Sequence, residues 1–407
     1  MTRKPLFWIV FTALSIGGVI YFAKNYDKAF PALSVDIKMN REMALDAAEE
    51  LSKKYNWLPG EHRTAVSFDA DRNLQTFVEL EGGGLDTFKM LYQDGLYYPY
   101  VWKVRHFQEQ NPNEMEIWFT PAGKPYSFRQ KLGEDEPGAA ISRDSAFALA
   151  MAGLTDEWSI NLDEYELVEE SEKIQPGGRV DHSFTYQRAG FSIGENGFLR
   201  FNLKVQGDVL GEYNHYAQVP EAFKRRFSEM RSANDTIAFS ATMAIGVLYV
   251  LFGCLVGTFM LLRQRRVLWK KAMIWGMVVG LFQSLVQLNF MPMMWMDYNT
   301  AITTNSFLIQ IIIQAVFIFL IQSAIYTMSF IAAESLTRKA FPNQIQFWRL
   351  WSSNAGNSLP VLGQTIGGYL ATGLFMFYAI AFYTFVTKTL GWWSPADTDY
   401  NPNILAA

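Results

Sequence analysis

The run Ser323-Ala-Ile-Tyr-Thr-Met-Ser-Phe-Ile-Ala-Ala-Glu-Ser-Leu-Thr-Arg-Lys-Ala-Phe-Pro342 decides how the chain is read. It closes the longest apolar segment, Phe307 to Ala333, which carries no charge and exceeds the ~20 residues a membrane-spanning helix needs. Glu334 and Arg338 follow at once, where apolar sequence turns polar. On a continuing helix they stand one turn apart with the acid N-terminal to the base, the favourable order for an ion pair. Pro342 cannot prolong a helix, so a break is expected near Phe341. The simpler reading of the pair is a helix-end salt bridge at the membrane surface. The sharper one is a functional site, because ionisable groups at such positions are costly.

Working upstream, the preceding span is expected over Ala272 to about Met296, with Gln283 and Gln287 on one face as partners for neighbouring helices. Before it, Ile237 to Leu262 is apolar and is followed directly by Arg263, Arg265, Arg266, Lys270 and Lys271. This is the strongest topological signal in the chain and places that loop in the cytoplasm. The first span is Leu6 to Ala23, preceded by Arg3 and Lys4, and reads as an uncleaved anchor with its N-terminus inside. Downstream, Phe341 to Ser358 suits an amphipathic segment on the inner leaflet. The fifth span runs from Leu359 to Leu390, with Gly363 and Gly367 set for close helix packing. Gly391-Trp392-Trp393-Ser394-Pro395 then reads as an interfacial anchor leading into an extended tail.

Between the first two spans lies a polar region, about 25–235, that reads as a water-soluble α+β domain outside the membrane. Its first half opens with a helix from Arg41 to Tyr55, followed by strand-like segments at Ala65–Asp69, Thr76–Leu80, Tyr97–His106 and Met115–Phe119. Gly82-Gly83-Gly84 is a turn, since it lacks both the Lys-Ser/Thr and the βαβ setting of a phosphate loop. The second half starts with a Ser142-capped helix through Leu154 and continues with strands at Tyr165–Glu169, Val180–Gln187, Phe198–Val205 and Val209–Ala217. Both halves give a helix and then an antiparallel meander, over 36–130 and 142–225, which suggests an internal duplication. In element order alone the pattern resembles PepSY-like or cystatin-like modules, and that carries no function. The acidic run Glu164, Glu166, Glu169, Glu170 and Glu172 fits a solvated edge strand better than a cation site.

Composition removes several classes of function. The net charge of −4 over 407 residues gives no reason to expect a nucleic-acid partner. The single cysteine, Cys254, allows no internal disulfide and no cysteine-based metal site. The four histidines, His62, His106, His182 and His215, are spread without metal-ligand spacing, so neither a metal nor a cofactor is expected.

Glu334-Ser-Leu-Thr-Arg338 resembles part of the Glu-Glu-x-x-x-Arg motif of the CPBP intramembrane proteases, the group of CAAX prenyl endopeptidases and bacteriocin-processing proteins. The wider run AAESLTRKAFPNQIQFWRLWS is similar to a segment of larger bacterial members with extra N-terminal regions. The resemblance implies that Glu334 polarises water and Arg338 orients it. It also implies a first motif Glu where this chain has Ala333, and later histidine motifs, whereas no histidine follows His215. The expectation is therefore a polytopic α-helical membrane protein of about five spans with an inserted extracytoplasmic α+β domain. Its parts are a 1–24 anchor, a 25–235 outside domain, a 236–390 helical region and a 391–407 interfacial tail. It would lie in the bacterial inner membrane, CPBP-like but catalytically incomplete as this chain. A truncated gene and a protein that works without the catalytic helices are both open readings. The alternative function is a sensor or scaffold whose outside domain binds a peptide or envelope partner.

Overall fold

The computed structural model describes residues 4–29, 35–58, 60–154, 157–158, 160–264, 269–343, 345–391 and 403. The Arg3 start, Arg265 and Arg266 of the basic loop, and the Trp392–Trp393 anchor lie outside the described residues. In chain order the first elements are α1 (Pro5–Ala29), α2 (Arg41–Lys54), β1 (Arg63–Ala70), α3 (Arg72–Glu81) and α4 (Gly84–Gln93). Strands β2 (Tyr100–Phe107), β3 (Glu114–Phe119) and β4 (Pro125–Lys131) follow, then α5 (Arg143–Gly153). Next come β5 (Tyr165–Ile174), β6 (Val180–Arg188), β7 (Phe198–Gln206) and β8 (Val209–Gln218). Helix α6 (Glu221–Gly246) continues through a π-helical stretch, Val247–Val256, into α7 (Gly257–Arg263). The chain then forms α8 (Trp269–Asn289), α9 (Met291–Met294), α10 (Thr304–Ala340), α11 (Ser353–Gly356) and α12 (Leu359–Leu390).

Two compact units result. The sheet unit comprises Ala32–Phe227, Met291–Leu308 and Pro395–Ala407; the helical unit comprises Met1–Pro31, Ser228–Phe290 and Ile309–Ser394.

All eight strands of the sheet unit pair antiparallel in the order β1-β2-β3-β4-β8-β7-β6-β5. The first half is α2, β1, the helices α3 and α4, and then β2-β3-β4; the second is α5 followed by the four-strand meander β5–β8; the last strands of the two halves, β4 and β8, join them. The core is apolar and aromatic: Phe68, Trp102, Phe119, Phe201 and Leu203 are fully buried against helix residues such as Ala48, Leu74 and Ala146. Helix α2 forms because Asn40 caps it, its side chain accepting from the Met43 amide at 2.9 Å, while Ala44, Ala48 and Leu51 bury one face.

The sequence reading of Thr76–Leu80 as a strand is overturned. Those residues belong to α3, which Asp71 caps by accepting from the Leu74 amide at 3.0 Å. Gly83 and Gly84 then take φ of +100° and +81°, which lets α4 start directly after α3. Strand β4 also went unpredicted. The sequence puts the end of the third span near Met296 and a short loop over Asp297–Asn305; both instead belong to Met291–Leu308, a segment of the sheet unit that covers β1 and β2. Arg105 donates to the carbonyls of Trp295 (3.2 Å) and Met296 (2.9 Å), and Phe107 packs against Trp295 and Tyr298.

In the helical unit, five helices among the described residues are long and apolar enough to cross a membrane: Pro5–Tyr26, Glu221–Arg263, Trp269–Asn289, Thr304–Ala340 and Leu359–Leu390. Most of their apolar surface faces outward; Ile237, Phe317, Leu359 and Phe375 are all exposed. A helix that is apolar all round is at home in a bilayer or a large core. Helix α1 lies along α12, with Trp8 over Gly363 and Gly367 and Tyr21 against Phe377 at 5.1 Å. Helices α8 and α10 meet through small residues: a Cβ on Gly276 or Gly280 would run into Thr327 or Ser323, and Ser284 donates to the Ala315 carbonyl at 2.9 Å. This Gly-x-x-x-Gly-x-x-x-Ser stripe does the work expected of Gln283, which is exposed instead.

Candidate functional site

Helix α10 carries Glu334 and Arg338 in its last two turns, and the structure brings them together as the sequence spacing requires. Arg338 Nη2 donates to Glu334 Oε1 at 2.9 Å. The other carboxylate oxygen, Oε2, accepts from the Phe347 amide at 3.4 Å. The Phe347 ring in turn packs on Phe330 and Trp275, at 5.6 and 5.7 Å. The Glu334 side chain is only 12% exposed. Both of its oxygens are therefore engaged, one within the helix and one on the connection toward α12. That arrangement pins a helix end and the chain that follows it. Phe347–Arg349 forms one 3-10 turn and Ser353–Gly356 one α-helical turn, so the expected amphipathic segment is broken into two short pieces.

A second locality is the open end of the sheet near β1 and β2, where a cleft of about 200 Å³ is lined by Asp69, Asp71, Tyr97, Tyr98, Tyr126 and His215 among others. Tyr97 Oη donates to Asp71 Oδ2 at 2.8 Å, so the cap of α3 also holds the cleft wall. Tyr126 stacks face to face on His215, 4.7 Å apart and tilted by 10°, and meets Tyr98 edge-on at 5.1 Å. His215 Nε2 lies 2.7 Å from Tyr213 Oη, and its backbone amide donates to Ser127 Oγ at 3.1 Å. Burial pushes His215 down to about 3, so its ring is neutral at physiological pH. Burial also pushes the Tyr97 and Tyr126 hydroxyls well up, which keeps them protonated. Asp69 is raised, again by burial first, although Ser67 and Lys103 oppose the shift. The cleft thus offers aromatic faces, neutral hydroxyls and two carboxyl groups, a set that suits a ligand with a cationic or amide-rich end. Sequence reading missed this place. The Tyr97-Tyr98 pair was visible, but its partners arrive from β4 and β8.

The histidines do not all stand apart, as spacing had led one to expect. His182 does, with Nε2 on the Ile141 carbonyl at 2.9 Å. His62 and His106 instead meet edge-on, with ring centroids 4.6 Å apart. The β1–β2 register sets Thr64 opposite His106, and this carries His62, just before β1, to the same end of the pair. The acidic run behaves as expected of a solvated edge: β5 is the outer strand of the sheet, Glu164 pairs with Arg188, and Glu170 pairs with Arg143.

Comparison with protein-family models, with curated proteins and with solved structures finds no match to this chain.

Proposed function

We propose that the chain is an integral protein of the bacterial inner membrane, CPBP-like around Glu334, whose sheet unit stands outside and binds a peptide without cutting it. The aromatic cleft between Asp71 and His215 carries this reading, because its stacked rings and the Tyr97–Asp71 hydrogen bond line a recess of about 200 Å³. The apolar outer faces of the five long helices support the membrane setting. Arg263, Lys270, Lys271, Arg338 and Lys339 sit at the ends of their helices that do not connect to the sheet unit, which supports a cytoplasmic placement for those ends. Engagement of both Glu334 oxygens favours a structural carboxylate over one that activates water. The sequence also puts all four histidines before residue 216, in the sheet unit.

The test uses the full chain in detergent and a set of fluorescently labelled tri- and tetrapeptides with free amino ends, followed by anisotropy. Tyr126→Ala should weaken binding at least about tenfold, as expected for an aromatic anchor. Asp71→Asn, which keeps the helix cap, should selectively weaken peptides with a positive end. Equal binding by the parent and both variants would remove the cleft from the proposal. Cleavage of a membrane-embedded peptide by this chain, lost in Glu334→Gln with folding intact, would restore the protease reading.

A further inference from the structure

We infer that Glu49, His62 and His106 form a binding site for a divalent transition-metal ion, Zn²⁺ in the first instance, on the outer side of α2. Each residue comes from a different piece of structure: Glu49 from α2, His62 from the turn ahead of β1, and His106 from β2. One ligand atom from each lies within 4.8 Å of the other two, so small side-chain rotations bring all three onto one ion at ~2.0–2.2 Å.

The hydrogen bonds around the trio already have the form that metal sites use. His62 Nδ1 lies 3.1 Å from the Gly60 carbonyl, which can only accept, so Nδ1 carries the proton. Its Nε2 then presents a lone pair, and that lone pair faces Glu49 Oε2, also an acceptor, at 3.1 Å. Two acceptors at that distance require a positive charge between them: a second proton on the ring or a cation. His106 supplies an independent observation. Its side chain is fully buried, Nδ1 is held by Thr64 Oγ1 at 3.1 Å, and Nε2 has no well-aligned hydrogen-bond partner, although the Ala48 carbonyl lies near enough to act on the ring. A buried imidazole nitrogen without a well-aligned partner calls for an explanation. Metal-ligating histidines characteristically fix their second nitrogen on a carbonyl or hydroxyl, as both rings do here.

The electrostatics agree with this arrangement. Burial first, and then the neighbouring His62, lower His106 to about 4, against weaker opposite effects from Glu49 and the Ala48 carbonyl. Glu49 is lowered by its hydrogen bond to Lys53 and by His62, despite some burial, and so is ionised. Its second oxygen is held by Lys53 Nζ at 3.1 Å, which fixes the rotamer while leaving Oε2 for the ion. Two imidazoles and one carboxylate are the donor set of open zinc sites, with a fourth position left for water. The set is too poor in oxygen for Ca²⁺ or Mg²⁺. The half-exposed Glu49 side chain marks the entry side.

The experiment titrates the purified full chain in detergent with Zn²⁺ by calorimetry and with Co²⁺ by visible absorption. One equivalent of each should bind, with Co²⁺ giving the intense d–d bands of a four-coordinate site. Ca²⁺ and Mg²⁺ should give no heat. Glu49→Gln and His62→Gln, at the accessible rim, should each weaken Zn²⁺ at least about tenfold and abolish the Co²⁺ bands. Their thermal transitions without metal, compared with that of the parent, establish that both variants fold. Zn²⁺ should also raise the parent's unfolding midpoint and leave that of the Glu49→Gln/His62→Gln double variant unmoved. Unchanged Zn²⁺ affinity in the folded double variant, or no binding by the parent, would overturn the site and leave an ordinary histidine–glutamate ion pair.

Discussion

Two ion pairs on this chain show how surroundings decide what a pair of charges is for. Glu334 and Arg338 are neighbours on one helix, and the second Glu334 oxygen reaches forward to the Phe347 amide, so the acid ties two elements together. Arg179 and Asp181 are buried almost completely, with side chains 2% and 1% exposed, and their N–O distance is 2.8 Å. Arg179 also donates to the Gly133 and Glu136 carbonyls, and Gln175 donates to Asp181 Oδ2 at 2.6 Å. Burial works against the Asp181 charge, yet the hydrogen bonds from Arg179 and Gln175 and the charges of Lys204 and Arg179 outweigh it and hold the pKa below the usual value. The sign follows from linkage. A carboxylate depressed on folding adds stability that is fully present above its unfolded pKa of ~3.9 and is lost as pH falls through the lower folded value. Arg179→Met should therefore cost about 3 kcal/mol near pH 7, because Asp181 is left charged in a buried site. That deficit should narrow below pH ~4, where protonation removes the unpaired charge. Urea unfolding at the two pH values checks this, and a deficit that stays constant with pH would show that lost packing, not charge, is the cause.

At the level of elements, legibility followed the length of the pattern. Spans Phe307–Ala333 and Leu359–Leu390 were plain because a long apolar run with no charge, or with Lys388 alone near its end, admits one reading. The strands of the second half were found within a residue or two at their starts, because turns bound them at regular intervals. Helix α3 was misread because Thr76-Phe-Val-Glu-Leu80 is rich in residues that favour strands, over too few positions to reveal a helical period. Its Asp71 cap and Gly82 end were the signals that could have corrected this. The metal trio was not legible, since His62 and His106 meet only through the β1–β2 register. Nor was the edge of β1, where the Asn403 amide pairs with both the N–H and the C=O of Phe68, at 2.8 and 3.2 Å, in the manner of a neighbouring strand. Glycine placement gives a direct test of the α1–α12 packing. A Cβ on Gly373 would come within 3.1 Å of the Ser15 carbonyl and of Val19, whereas one on Gly368 meets nothing within 4 Å. Gly373→Val should lower stability in detergent by about 1–3 kcal/mol, while Gly368→Val should change it far less. Similar losses from both would mean that α1 does not rest on this face of α12.

The whole molecule repeats one theme, that polar and apolar sequence are segregated by unit. Most charged groups, all four histidines and the cleft belong to the sheet unit, while the helical unit turns leucine, isoleucine and phenylalanine outward. A surface of that kind is stable in lipid and aggregates in water, so a bilayer is the setting that resolves it. Direction then follows from charge. Arg263 stands at the end of α7, Lys270 and Lys271 at the start of α8, Arg338 and Lys339 in the last turn of α10, and Arg349 after it. In the proposed topology both sets lie inside, as the positive-inside rule asks. The three connections that enter the sheet unit, after α1, α8 and α12, leave spans that run in the same sense under this topology. The inclusion of Met291–Leu308 in that unit requires the same outcome, since a segment packed on β1 and β2 shares their side of the bilayer. Reporter fusions should therefore give an outside signal at residues 150 and 300 and an inside signal at residues 267 and 345. Residue 300 carries the most weight, because the sheet packing and the charge pattern predict its side independently. Opposite signals at 150 and 300 would mean that the 291–308 segment cannot cover the sheet in the membrane. An inside signal at both would reverse the whole orientation and place the cleft and the Glu49, His62 and His106 cluster in the cytoplasm.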